Sequence, residues 1–227
     1  MKFDKGQILK NVGSSWFALG VNVLVGIFLS PYILHRLGDD AFGLWILIFS
    51  VTGYYGLFDL GIRSSIVRYV AKYSAIHAQD ELDRLISTAM FSYSLIGLLT
   101  MTFTLIATYY VDSIFHVPAN FLATARWLLL MVGASVSLGF PIGVFSGILE
   151  GLQRFYVLNS ISVVSTLLRA LLIVIALRHG GGLLVVALIT VALPLVGGIA
   201  NFFMALRILP LRLRIGYTNW SSLRVIA

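Results

Sequence analysis

Long, uninterrupted apolar runs recur six times along this chain and restrict its fold severely. A helix needs roughly 20 apolar residues to cross about 30 Å of hydrocarbon, whereas a membrane β-barrel shows alternating segments of about 10 residues. The runs cover Asn11–Leu34, Ala41–Ile62, Thr88–Val111, Trp127–Leu149, Phe155–Leu177 and Leu183–Leu206. Because they are continuous, they predict an all-α integral membrane protein whose six transmembrane helices form a bundle.

Charged residues are too scarce for a soluble domain. They make up 11% of the 227 residues, while hydrophobic residues make up 59%; a typical soluble domain has about 25% charged residues. The chain has no cysteine, which excludes disulfides and thiolate chemistry. The net charge of +7 does not predict nucleic-acid binding, because most basic residues flank the spans, where topology and anionic lipid account for them.

The distribution of Lys and Arg predicts the orientation and the domains. Most basic residues in the loops fall on the side of the N-terminus, and only Arg36, Arg126 and Arg178 fall on the other. The positive-inside rule then places both ends in the cytoplasm, with the protein in the inner (plasma) membrane. We expect residues 1–206 to form an N-terminal six-helix lobe. Residues 207–227 are expected to form an amphipathic cytoplasmic elbow leading to a second lobe absent from this sequence.

One connection is longer than the others. The segment Arg63–Ser87 carries Arg68 and Lys72 one helical turn apart, followed by a run of mixed charges. We expect it to continue the second helix past the membrane as an interfacial stretch.

Arg169, inside the fifth span, is the first candidate for function. A central Arg costs roughly 2.5–3.5 kcal/mol to insert, so it should face the bundle interior or an aqueous cavity. Its planar, always charged group suits phosphate and carboxylate oxygens and would anchor an anionic substrate. The alternative is an internal pair with backbone carbonyls or with Asp59 or Glu150. Polar or small residues share its helical face and are expected to line the lumen: Asn159, Ser162, Thr166 and Ala170, with Asn22 a further candidate in the first span.

Four charged residues near the inner ends of the spans are candidates for a gate or an ion pair. Asp59 and Arg63 are four residues apart, on one face of a helix, and Glu150 and Arg154 have the same spacing. A pair that forms in one conformation and breaks in another can gate a cavity. A static pair at the interface is the alternative, because both charges of the Asp59–Arg63 pair can reach water.

A glycine stripe runs along the fourth span, at Gly139, Gly143, Gly147 and Gly151, with Pro141 inside it. A spacing of four places these residues on one face, where another helix can approach closely. Packing is the simpler purpose; a bendable helix, as moving transport elements need, is the functional one.

Catalytic and cofactor motifs are missing from the sequence. His179 and the three glycines after it imitate a lipase oxyanion-hole sequence, but the chain has no G-x-S-x-G elbow. The four His are dispersed, so neither a metal site nor any other cofactor is predicted. There is no phosphate-binding P-loop either. We therefore expect a protein that is not an enzyme.

Several local motifs, in order, resemble the N-terminal half of polysaccharide-export flippases of the Wzx type. These belong to the multidrug/oligosaccharidyl-lipid/polysaccharide (MOP) superfamily, which also contains the MATE drug exporters. The segments that carry the resemblance are Asn11–Trp16, Pro31–Gly38, Ala41–Trp45, Phe58–Ile62, Val67–Ala71 and Gly147–Phe155.

The resemblance implies one lobe of a two-lobed transporter with a central cavity. It also implies a lipid-linked oligosaccharide as substrate, flipped from the cytoplasmic to the outer leaflet with ion-gradient coupling. The partners it leads us to expect are the glycan polymerase or ligase machinery and the missing C-terminal lobe. Three alternatives stay open: a cation-coupled drug or metabolite antiporter of the same fold, a non-transporting membrane scaffold, and a membrane-surface transferase.

Overall fold

The computed structural model describes residues 5–55, 61–115 and 121–210, which fold into eight helices with no strand in these ranges. The helices are α1 (Lys5–Leu37), α2 (Asp39–Tyr55), α3 (Ile62–Ala75), α4 (Gln79–Tyr109), α5 (Val111–Phe115), α6 (Leu122–Gly151), α7 (Phe155–Arg178) and α8 (Leu183–Ile208). The predicted all-α class is therefore confirmed.

Five of these helices, α1, α4, α6, α7 and α8, are long and apolar enough to cross a membrane. They contain the first and the third to sixth predicted spans almost entirely, so the chain is a multi-pass membrane protein. The described part of α2 has 17 residues, fewer than the roughly 20 needed to span. The second predicted span, Ala41–Ile62, is thus not confirmed.

The connection after α2 does not continue that helix, so this expectation for Arg63–Ser87 is wrong. Gly61 has a left-handed backbone (φ 78°) and starts the separate helix α3; glycine adopts this conformation because it lacks Cβ. A turn at His77, also left-handed (φ 54°), then separates α3 from α4. Helix α4 begins well before the predicted Thr88, because Asp80 and Glu81 in its first turn stabilise a helix N-terminus.

Helix α6 lies at the centre of the bundle and packs on α2, α3, α4 and α8. It approaches α4 closely one turn before Pro141, which has no N–H and so leaves the Ser137 carbonyl without its helical partner. A Cβ on Gly97 of α4 would lie 2.5 Å from that carbonyl oxygen. Ser137 Oγ in turn donates a hydrogen bond to the Gly97 carbonyl at 2.6 Å. The proline and the glycine together allow two backbones to touch.

Helix α8 ends where a proline in the sequence predicts its end. Helix α8 ends at Ile208, just before Pro210, which cannot continue a helix. The elbow predicted over residues 207–227 lies outside the described residues from position 211 onwards.

Candidate functional site

A cavity of about 460 Å³ opens between α1, α6, α7 and α8. Apolar and small residues make up part of its wall, including Gly139, Gly143 and Pro194. Its polar lining consists of Asn22, Ser135, Ser146, Ser162, Ser165, Thr166, Arg169 and Asn201. Within the part of the chain that the structure describes, Arg169 is the one charged residue of this lining, and no carboxylate lines the cavity.

Arg169 lies deep in the membrane-spanning part of α7. At 1.5 Å per residue it is about 21 Å from Phe155 and about 14 Å from Arg178, the two ends of the helix. Its side chain is half-buried, and within residues 5–55, 61–115 and 121–210 it has no hydrogen bond or ion pair. Of its two suggested carboxylate partners, Glu150 pairs elsewhere and Asp59 lies outside the described residues.

The other predicted lumen residues of α7 divide between the cavity and the contact with α1. Thr166 Oγ1 donates to Asn22 Oδ1 at 2.9 Å, and both residues line the cavity. Asn159 does not line it. Its Nδ2 instead donates to Ser14 Oγ and Ser15 Oγ of α1, at 3.0 Å each.

A third contact joins the start of α1 to the turn between α6 and α7. Gln7 Nε2 and Asn11 Nδ2 both donate to the carbonyl oxygen of Gln153, at 3.0 and 2.9 Å. Gln153 has a left-handed backbone (φ 58°), which points its carbonyl at α1. Polar contacts therefore join α1 to the α6–α7 turn and to α7. Along α1 they extend from its first turns to Asn22, near the middle of α1.

The glycine stripe of α6 has two different environments. A Cβ on Gly139 or Gly143, the two glycines that line the cavity, would meet no atom within 4 Å. A Cβ on Gly147 would lie 3.1 Å from Ile66 Cγ2, and one on Gly151 would lie 2.8 Å from the Val67 carbonyl oxygen of α3. One half of the stripe therefore packs against α3, and the other half keeps the cavity wide.

Two of the charged gate candidates, near the last turn of α6, form a pair that sequence spacing did not predict. Arg63 of α3 forms an ion pair with Glu150 in the last turn of α6, with a second contact from Nε to Oε2 at 3.4 Å. Arg154 instead donates from Nη1 to the Tyr156 hydroxyl at 3.4 Å. The other predicted member of the set, Asp59, lies outside the described residues.

Sequence reasoning predicted Ser162 in the lumen, but it missed Ser135, Ser146 and Ser165 of the cavity and the role of Asn201. A signal was available: Ser135, Gly139 and Gly143 follow four-residue steps on α6, and Pro194, Gly197 and Asn201 follow three- and four-residue steps on α8. Steps of this size select one face of a helix. Two helices with small or polar faces indicate a shared polar wall.

A family model described as "Polysaccharide biosynthesis protein" matches residues 8–219. The uncharacterized membrane protein EpsK of Bacillus subtilis (strain 168) is 25% identical over 161 residues, which are 71% of this chain and 32% of EpsK. A putative O-antigen transporter of Shigella flexneri is 29% identical over 83 residues, which are 37% of this chain and 19% of that protein. No solved structure matches the chain significantly.

Both matches cover a larger share of this chain than of the related protein. The chain spans about a third of the length of EpsK and a smaller part of the Shigella protein. The family model, in contrast, covers nearly the whole of this chain, and it agrees with the resemblance to Wzx-type flippases found in the sequence motifs. The chain therefore belongs to the polysaccharide biosynthesis protein family.

Proposed function

We propose that this chain is part of a flippase that moves a polyprenyl-diphosphate-linked oligosaccharide from the cytoplasmic to the outer leaflet, for O-antigen, capsule or exopolysaccharide assembly. The observation that carries the proposal is Arg169, a cation that lines a cavity at membrane depth without a partner among the described residues. Membership of the polysaccharide biosynthesis family and the name of the Shigella relative support it.

Arg169 suits a diphosphate for two reasons. Its guanidinium keeps its charge at all physiological pH values, and its planar fork can donate two parallel hydrogen bonds to phosphate oxygens. The described lining of the cavity has no carboxylate, so a diphosphate would meet attraction from Arg169 without repulsion from the wall. Such an attraction is stronger beside hydrocarbon than in water.

The neutral part of the lining suits the sugar. Serine hydroxyls and asparagine amides both donate and accept hydrogen bonds, as sugar hydroxyls require; Ser162, Ser165 and Asn201 offer such groups. The lipid tail of the substrate would stay in the bilayer, beside apolar residues such as Leu167 and Leu171, which are about half exposed on α7.

The remaining features of the mechanism belong to the same proposal. Both ends of the chain lie in the cytoplasm, a second lobe completes the cavity, and an ion gradient drives transport. Cargo is passed on to polymerase or ligase machinery, and no cofactor or catalytic step is involved. The Arg63–Glu150 pair, at the end of α6 farthest from Leu122, is a cytoplasmic gate in this scheme.

The test uses the full-length gene in cells that lack their own flippase, with surface display of glycan as the readout. Arg169→Ala should reduce display at least about tenfold, because one hydrogen bond to a charged group contributes about 1.5–3 kcal/mol. Arg169→Lys should restore display in part, since it keeps the charge and loses the fork. Arg126→Ala is the matched control, because Arg126 is an exposed arginine near the start of α6.

Protein level in the membrane is measured for every variant, so that loss of transport is separated from loss of protein. If Arg169→Ala displays glycan as well as the wild type, Arg169 is a structural residue and the diphosphate anchor is wrong. Drug antiport and a scaffold role are then the hypotheses to test next.

A further inference from the structure

A second concavity, of about 450 Å³, lies between α1 and α7. Its wall is apolar, with Leu24, Phe28 and Leu29 from α1 and Val174 from α7, while Tyr32 and Arg178 lie at one end. We call it the α1–α7 groove.

The groove begins where the polar contacts between the two helices end. The Asn22–Thr166 hydrogen bond is the last of these contacts in the described residues, and Leu24 follows within one turn. From Leu24 to Tyr32 the helix rises about 12 Å. That length is close to the depth of one leaflet, half of the roughly 30 Å hydrocarbon core. An acyl chain of a lipid in that leaflet would therefore fit along the groove.

Two arginines stand at the end of the groove that faces the membrane surface. Arg178, in the last turn of α7, lines it directly. Arg36, in the last turn of α1, lies over the ring of Tyr32, with its guanidinium carbon 5.6 Å from the ring centroid. Both arginines are exposed. Asp39 and Asp40 follow in the chain, but within the described residues neither arginine has an ion pair.

We propose that the α1–α7 groove binds an anionic phospholipid of the leaflet on the side of Arg178, with one acyl chain along Phe28 and Val174 and its phosphate on Arg178 and Arg36. The two arginines are complementary to the negative charge of the headgroup, and the apolar wall is complementary to the acyl chain. A phosphate here would lie at the membrane edge, about 14 Å along α7 from Arg169. This lipid site is therefore separate from the transport cavity and does not depend on the proposed function.

The test places the purified full-length protein in nanodiscs of equal phosphatidylcholine and phosphatidylglycerol and counts the lipids that stay bound by native mass spectrometry. The wild type should retain phosphatidylglycerol over phosphatidylcholine on the order of 25-fold, because each of the two basic residues near the headgroup contributes about fivefold. Arg178→Gln should remove most of the preference by removing charge. Val174→Trp should remove bound lipid by filling the groove, with Val174→Phe as a milder variant and size-exclusion elution as the folding check.

Arg126→Gln is the matched control, since it removes an equal charge from an exposed site near the start of α6 and should keep the preference. Three outcomes overturn the proposal: no preference in the wild type, an equal loss in Arg126→Gln, or unchanged retention when both Val174 variants fold. Complete displacement of phosphatidylglycerol by added undecaprenyl phosphate also overturns it, because the groove would then belong to an isoprenoid carrier.

Discussion

Gly143 and Gly151 lie two turns apart on one face of α6, so alanine at each position forms a matched pair. Gly143 lies inside α6 and Gly151 is its last residue, so alanine gains up to about 1 kcal/mol of helix propensity at position 143 and less at position 151. A Cβ at position 151 would lie 2.8 Å from the Val67 carbonyl oxygen and from Val70 Cβ, whereas one at position 143 would meet no atom within 4 Å. Overpacking of this kind costs about 1–3 kcal/mol.

Gly151→Ala should therefore be less stable than Gly143→Ala by about 1–3 kcal/mol. Thermal unfolding of the purified full-length protein in detergent measures the difference as a lower Tm for Gly151→Ala. Gly143→Leu should unfold like the wild type yet lose glycan display, because its side chain enters the cavity. Equal Tm values for the two alanine variants would refute the assignment of Gly143 to the cavity and of Gly151 to the contact with α3.

Three further substitutions test other contacts. Gly97→Ala should lower stability by about 1–3 kcal/mol, because its Cβ would lie 2.5 Å from the Ser137 carbonyl oxygen; an unchanged Tm would contradict this packing. A double-mutant cycle on Arg63→Ala and Glu150→Ala should give a coupling of only about 0.2–1 kcal/mol, since the arginine side chain is 47% exposed; a coupling above that range contradicts the expectation. Asn201→Leu should keep or raise Tm, because Asn201 Oδ1 is buried without a hydrogen-bond partner among the described residues, yet it should reduce glycan display. Reduced stability with normal display would show a structural role instead.

Most of the fold was readable from the sequence because long apolar runs leave few choices in a membrane. The fifth and sixth predicted spans agree with α7 and α8 to within two residues at each end. The region after α2 was not readable. Helix α3 is a separate helix because Gly61, just before it, has a left-handed backbone. The φ angle of a glycine between two apolar stretches cannot be predicted from the sequence.

The candidate site was readable only in part, because sequence gives the residues on a helix and not the direction each one faces. Arg169 and Thr166 line the cavity, whereas Asn159, on the same predicted stripe, contacts α1. Such a stripe is wide enough to touch both a cavity and a neighbouring helix. Likewise, the partner of Arg63 is Glu150 on another helix, which no spacing rule within one helix can identify.

In the proposed flippase, the contacts of α1 provide a way to couple substrate binding in the cavity to movement of this helix. Polar groups join α1 to the α6–α7 turn at Gln153 and to α7 at Asn159 and Thr166. Hydrogen bonds between membrane helices average about 0.6 kcal/mol each, so the five bonds described above together contribute roughly 3 kcal/mol. A phosphate bound to Arg169 would contribute about 1.5–3 kcal/mol per hydrogen bond. Because Arg169 lies less than one turn beyond Thr166, substrate binding and the contact between α1 and α7 would act on the same stretch of helix with comparable energies.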